Sequence, residues 1–200
     1  MAIKNLDTEM VEVNNVSATD KYEDLALNCR KIFINDEINK EVIFDAVYYI
    51  HKLLAQDEAQ GLKAPIDIYI NTNGGFCSEG FILVDLIEQL KRHQYEINTI
   101  VTGTAYSFGI ILALMGTHRY CYRHSDFMCH TITVFAPMAP LPDLKRTVRH
   151  GEQMEKMIKE YIMANTKITQ SIWDKYVAQG DDWYLDADEA VKYGFCHEII

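Results

Sequence analysis

The sequence predicts an α/β fold, with repeated β-α units around a parallel sheet and one long helix set apart from them. Two stretches carry that prediction. Ile66-Asp67-Ile68-Tyr69-Ile70-Asn71 is a buried strand running into Thr72-Asn73-Gly74-Gly75, and a helical pattern from about Ser78 to Arg92 follows at once. Ile97 to Val101 then reads as the next strand, and Ser107 starts an apolar helical run, Phe108 to Met115. Strand and helix recur in the order that right-handed crossovers between parallel strands produce, and functional loops in such sheets gather at the strands' C-terminal ends. Gly74-Gly75 and a tight Gly103-Thr104-Ala105 turn before Ser107 both fall there.

Residues 1–18 show no helical stripe, and the turn-forming Asn14, Asn15 and Ser17 mark them as a flexible N-terminal arm. Residues 19–200 form a single domain. Asp20 caps a short helix through Leu27, Lys31 to Asn35 is the first strand, and Val42, Ala46, Ile50 and Leu53 give the next helix one apolar face. The polar stretch Gln56 to Lys63 reads as a loop. The helix from Ser78 buries Phe81, Val84, Leu86 and Ile87. Past His130, Thr131 to Phe135 is β-branched and strand-like, and Ala136 to Pro142 holds three of the four prolines. Asp143 to Asn165 is helical, with Met154, Met157, Ile158, Tyr161 and Ile162 on one face that packs into the core or onto another subunit. Thr169 caps a shorter helix closed by Gly180. Asp186 to Glu189 is a capping box, Gly194 stops that helix, and Phe195 to Ile199 is the last strand.

With 19 basic and 29 acidic residues among 200, the chain carries net −10, which argues against nucleic-acid and anionic-membrane surfaces and leaves proteins as partners. The five cysteines form no CxxC pair and are odd in number, so neither a disulfide framework nor structural zinc is expected; they read as reduced, mostly buried thiols of a cytoplasmic protein. No export signal or membrane span is expected, since the most apolar run is far too short.

Ser107, at a strand-to-helix junction, is a candidate nucleophile, because the first amides of a helix lack intrahelical partners and can hold a developing oxyanion. The plainer alternative is that it only caps a core helix. His130, at a strand end, is the candidate base, and Asp182, before the short apolar strand Trp183-Tyr184-Leu185, its orienting acid. Asp181 is the near alternative to Asp182. His118, His124 and His130 recur every six residues, which fits surface alternation on strands rather than a metal site. Gly74-Gly75 lacks the Lys-Ser/Thr of a phosphate loop. No metal or other cofactor is expected.

Five ordered motifs resemble those of the proteolytic subunit of the Clp protease. They are Ile68 to Gly75, Gly103 to Gly109, Arg119-Tyr120-Cys121, Phe127 to His130, and Asp182 to Ala190 with Tyr193-Gly194. The resemblance runs from about Tyr22 to Ile200. It implies a crotonase-like head of β-α units with a projecting handle, here about residues 131–165, built on the helix Asp143 to Asn165. It also implies heptameric rings stacked into a tetradecameric barrel, a hexameric AAA+ unfoldase that supplies the ATP dependence, and unfolded polypeptides as substrates. Carried onto this chain, it makes Ser107 the nucleophile, His130 the base and Asp182 the acid of a serine endopeptidase. The amides of Gly75 and Phe108 form the oxyanion hole, and the segment before Val16 the axial loop.

Four departures from the family pattern carry expectations of their own. Thr72-Asn73 stands where Ser-Pro is usual, which predicts a less rigid turn. Tyr106 and Phe108 flank Ser107 where a small residue and methionine are usual, which predicts a bulkier pocket. Thr131 to Pro137 replaces a glycine-rich strand that pairs with substrate, and Asp181 replaces an arginine used between rings. These motivate a rival reading, a catalytically weak or silent subunit that regulates a mixed assembly. A third reading, an acyl-CoA hydratase or isomerase, lacks a basic cluster for CoA.

Overall fold

The structure, a computed structural model, describes residues 18–134 and 138–200. The expected arm lies outside them except for its last residue, and the axial-loop segment lies outside them altogether. The described residues form seven helices and one seven-stranded sheet. Strands β1 (Lys31–Ile34), β2 (Ile66–Thr72), β3 (Ile97–Tyr106), β4 (His118–Cys121) and β7 (Glu198–Ile199) lie side by side, all parallel. β5 (Asp126–Cys129) joins β3 in parallel further along, and β6 (Trp183–Asp186) pairs with β5 antiparallel.

Alternation builds the core. Ile32 and Ile34 of β1 and Ile66, Ile68 and Ile70 of β2 are fully buried on one face, under α2 (Lys40–Gln60), α3 (Cys77–Arg92) and α4 (Phe108–Leu114). On the other face Phe33 stacks on Tyr69 at 5.0 Å, and Tyr22 of α1 (Ala18–Leu27) leans on Phe33. α1 begins two residues before Asp20, so Asp20 is not its cap.

The expected loop Gln56 to Lys63 is largely helix. α2 continues to Gln60 and ends at Gly61, whose φ of 65° is the left-handed conformation glycine tolerates. The apolar stripe fades after Leu54, but good helix formers continue, and an ion pair between a buried aspartate and a half-buried arginine anchors the extension. Asp57, only 3% exposed, accepts from Arg30 at 3.0 and 2.8 Å, and Arg30 also donates to the carbonyls of Ala64 and Pro65.

The expected turn at Gly103 is also corrected. β3 runs on to Tyr106, pairing residues 98–101 with β4 and residues 104–106 with β5, and it bulges against β2, where Ile70 pairs with Val101 but Thr72 with Ala105. Gly103 is needed for space. A Cβ there would overlap the Asn71 side chain, whose Oδ1 accepts the Thr104 N–H at 3.0 Å.

After β5, Thr131 to Val134 belongs to no strand, contrary to its β-branched composition, and among the described residues no neighbouring strand offers it a ladder; Phe135, the last residue of the expected strand, lies outside them. The long helix α5 (Leu141–Asn165) starts two residues earlier than expected, with Pro142 in its first turn. Its C-terminal part is docked on the head: Ile162 is buried, Tyr161 donates to Glu88 at 3.1 Å, and Arg119 donates to the Asn165 carbonyl at 2.7 Å. Within the expected stripe Met157 is exposed, and the helix's N-terminal part leaves Leu141, Leu144 and Val148 exposed as well, so the stripe is core at its C-terminal end only. Thr169 caps α6 (Gln170–Tyr176) and Asp186 caps α7 (Ala187–Tyr193), as expected. The final strand shrinks to β7, because Phe195 and Cys196 bury in the core and their N–H groups close α7 on the Ala190 carbonyl.

Candidate active site

Ser107 sits where β3 gives way to α4, with φ 53° and ψ −122°. A non-glycine residue at positive φ is strained by about 1–3 kcal/mol and persists only when its surroundings hold it. Two hydrogen bonds do so: the Ser107 N–H donates to the Met128 carbonyl at 2.8 Å, and its carbonyl accepts from the Ile110 N–H at 3.1 Å. The side chain makes no capping bond although Ser107 is the N-cap residue of α4. Its Oγ lies 2.7 Å from Nε2 of His130, one residue past β5. The strained backbone therefore turns the hydroxyl away from the helix and towards an imidazole.

Opposite Ser107 stands the Gly74-Gly75 turn. Its φ values are 98° and 148°, and a Cβ on Gly74 would come within 2.7 Å of the Ser107 Cβ. Even without proline the turn is pinned. Thr72 Oγ1 accepts the Gly74 N–H at 3.1 Å, the Ile38 N–H donates to the Gly74 carbonyl at 2.8 Å, and the Phe76 N–H donates to the Ile38 carbonyl at 2.9 Å. Among the described residues no hydrogen bond engages the N–H of Gly75 or Phe108, and both residues line the cleft that holds Ser107 and His130. Such unengaged amides are what an oxyanion requires.

Asp182 is not joined to His130. Its side chain is exposed, as is that of Asp181, and among the described residues no hydrogen bond links either carboxylate to the imidazole. The backbone does bring Asp182 near: the register pairs Cys129 with Trp183, and one step further His130 stands level with Asp182. Cross-strand partners on one face have Cβ atoms about 4.5–5.5 Å apart.

The cleft has a volume of about 110 Å³. Two cysteines line it, Cys77 and Cys129. Burial raises both thiols, Cys129 to about 12, so neither is a thiolate near neutral pH and the hydroxyl of Ser107 is the cleft's available nucleophile. The bulkier pocket expected from the residues flanking Ser107 does not materialise as drawn. The Phe108 ring is buried edge-on to Phe81 at 4.9 Å, in space left by Gly80, where a Cβ would overlap it. Tyr106 is held outside the cleft by its 2.6 Å hydrogen bond to Asp126. That bond, and burial after it, push the phenol up to about 12.

The far wall comes from elements that the sequence analysis did not connect to the site. Ile158 and Ile162 of α5 and Trp173 of α6 line it, with Glu155 at its edge. The apolar stripe on α5 was the available signal, but periodicity alone does not say what a stripe faces. Among the described residues no group of three or more His, Cys, Asp or Glu side chains could hold a metal ion, and no helix is long and apolar enough to cross a membrane.

The chain is similar to proteolytic subunits of ATP-dependent Clp proteases. It is 28% identical to subunit 2 of Treponema denticola over 199 aligned positions, covering 96% of this chain and 92% of that protein. It is 29% identical to subunit 1 of Mycobacterium bovis, covering 92% and 88%, and 28% identical to subunit 2 of Bacillus licheniformis, covering 87% of each. The profile of the Clp protease family matches residues 14–200. With its strained serine set against a histidine at the end of a parallel sheet, the chain belongs to the Clp protease family, a family of serine peptidases.

Proposed function

We propose that this chain is an active serine endopeptidase, the proteolytic subunit of a compartmentalised protease. The observation that carries the reading is the 2.7 Å contact between Ser107 Oγ and His130 Nε2, made at the expense of a helix cap. In the first step His130 takes the hydroxyl proton as Oγ attacks the peptide carbonyl, whose oxygen becomes an oxyanion held by the N–H groups of Gly75 and Phe108. The imidazolium then protonates the leaving amine and the C–N bond breaks. Water, deprotonated by the same imidazole, hydrolyses the acyl ester and returns the proton to Oγ. Asp182 accepts from Nδ1 of His130 during this cycle, which fixes the tautomer and stabilises the imidazolium. That role needs its exposed side chain to turn across the strand pair.

The same reading assigns the chain to heptameric rings stacked in pairs, in the cytoplasm, fed with unfolded polypeptide by a hexameric AAA+ ATPase. Its support is family membership and the names of the relatives. The rival, a silent subunit in a mixed ring, is favoured by one observation, the exposed Asp182 that makes no bond to His130.

Intact mass after exposure to a fluorophosphonate separates them. One adduct on the wild type and none on Ser107→Ala is the expected result. An unlabelled wild type, assembled as rings by sizing and light scattering, would transfer the reading to the silent subunit.

A further inference from the structure

The cleft that holds Ser107 and His130 is also lined by Glu155. Its apolar lining includes Ile132, Ile158, Ile162 and the buried indole of Trp173. A carboxylate beside such walls is costly to dehydrate unless a cation or donor meets it. Glu155 is half-buried, and among the described residues no hydrogen bond or ion pair takes up its carboxylate. Of the lysines beside it on its own helix, Lys156 pairs with Glu160 at 3.8 Å, and Lys159, one turn on, lies over the ring of Trp173, itself a wall of the cleft, at 5.6 Å and makes no ion pair with Glu155 among the described residues.

We propose that Glu155 makes the cleft select lysine or arginine on the amino side of the scissile bond. The proposal rests on the peptidase reading of Ser107. With the scissile carbonyl oxygen at the N–H groups of Gly75 and Phe108, the residue bearing that carbonyl has its side chain beside Ser107, and the enclosed cleft is the space it enters. A long aliphatic stem covers the walls of Ile158, Ile162 and Trp173, and the terminal cation reaches the carboxylate. Leucine or methionine would cover the same walls but leave Glu155 dehydrated and unpaired. An acidic side chain would meet a like charge. Discrimination therefore comes from the unpaired state as much as from the paired one.

The test uses peptidyl diphenyl phosphonates whose terminal residue carries the side chain of lysine or of norleucine, its uncharged counterpart. Ser107 Oγ forms a bond to phosphorus, and one phenol leaves with the serine proton, so intact mass against time gives the rate. The wild type is expected to react about tenfold faster with the lysine probe, the size of a half-buried charge-assisted hydrogen bond. Glu155→Gln should bring the two rates to near parity, and Glu155→Lys should favour a glutamate probe. A wild-type ratio near one overturns the proposal, whether or not the variants fold. So does a ratio unchanged in a Glu155→Gln protein that still takes up a fluorophosphonate. If the wild type reacts with the fluorophosphonate but shows no preference, only the role of Glu155 falls. If it reacts with neither reagent, the peptidase reading falls and takes this proposal with it.

Discussion

The ring of Phe108 occupies the space that a side chain at residue 80 would need, so the glycine of α3 and the aromatic residue beside the nucleophile fit only as a pair. Adding one methyl should force the ring or the helix aside. Gly80→Ala is expected to destabilise the protein by about 1–3 kcal/mol, the usual size of core overpacking. Phe108→Met in the same chain should recover part of that loss. Urea denaturation of the two single variants and the double variant gives the coupling, and strict additivity would show that the two sites do not share space.

Asp182 offers a sharper test of chemistry. If its carboxylate orients His130 during turnover, Asp182→Asn should lower kcat by roughly 10³–10⁴-fold and leave folding unchanged, as expected when the wrong tautomer is held. Asp181→Asn should have a far smaller effect. Peptide hydrolysis measured on both variants checks this, and equal losses would mean the register does not decide which aspartate serves.

The Arg30–Asp57 pair is a structural prediction far from the cleft. Removing one member of a buried pair strands the other charge, at about 3–5 kcal/mol. Asp57→Ala should therefore lower the urea midpoint markedly, with fluorophosphonate labelling of the folded fraction preserved. Arg30→Ala should be similarly costly, since it also frees the carbonyls of Ala64 and Pro65.

A pH effect follows from His197. His197 is exposed, but partial loss of water around its ring, then the charge of Arg119, then His118, hold its imidazole below the ordinary histidine value. Arg119 lies against it, with Nη2 2.9 Å from His197 Nε2, and also binds the end of α5. The folded state therefore takes up the proton less readily than the unfolded chain. Stability is full above the unfolded value of ~6.5 and declines as pH falls below it. Melting temperatures between pH 7.5 and 5.5 should fall, and should fall less in His197→Gln; equal slopes would remove His197 as the cause.

The head was legible in the sequence because strand alternation and helix periodicity agreed along it, as in Ile66 to Asn71 followed by Ser78 to Arg92. Gln56 to Gln60 reads as loop because its anchor is polar: the partner of Asp57 is Arg30, across the fold, and no local pattern announces it. Gly103 reads as a turn because a glycine required for close approach looks the same in sequence as one required for positive φ. Ser107 and His130 were found, and they meet. Glu155 carries no local signal, since helix spacing does not reveal that one face of α5 lines the cleft of a serine far earlier in the chain.

Nucleophile and base ride on one ladder. β3 delivers Ser107, β5 delivers His130, the two strands are bonded to each other from Thr104 to Tyr106, and the Ser107 N–H adds the last rung to Met128. Thermal displacement of this part of the sheet therefore carries both groups in the same direction. The separation of Oγ and Nε2 should fluctuate less than either atom does against the rest of the molecule, so the proton-transfer distance is insulated from motion of the long helix that forms the cleft's opposite wall.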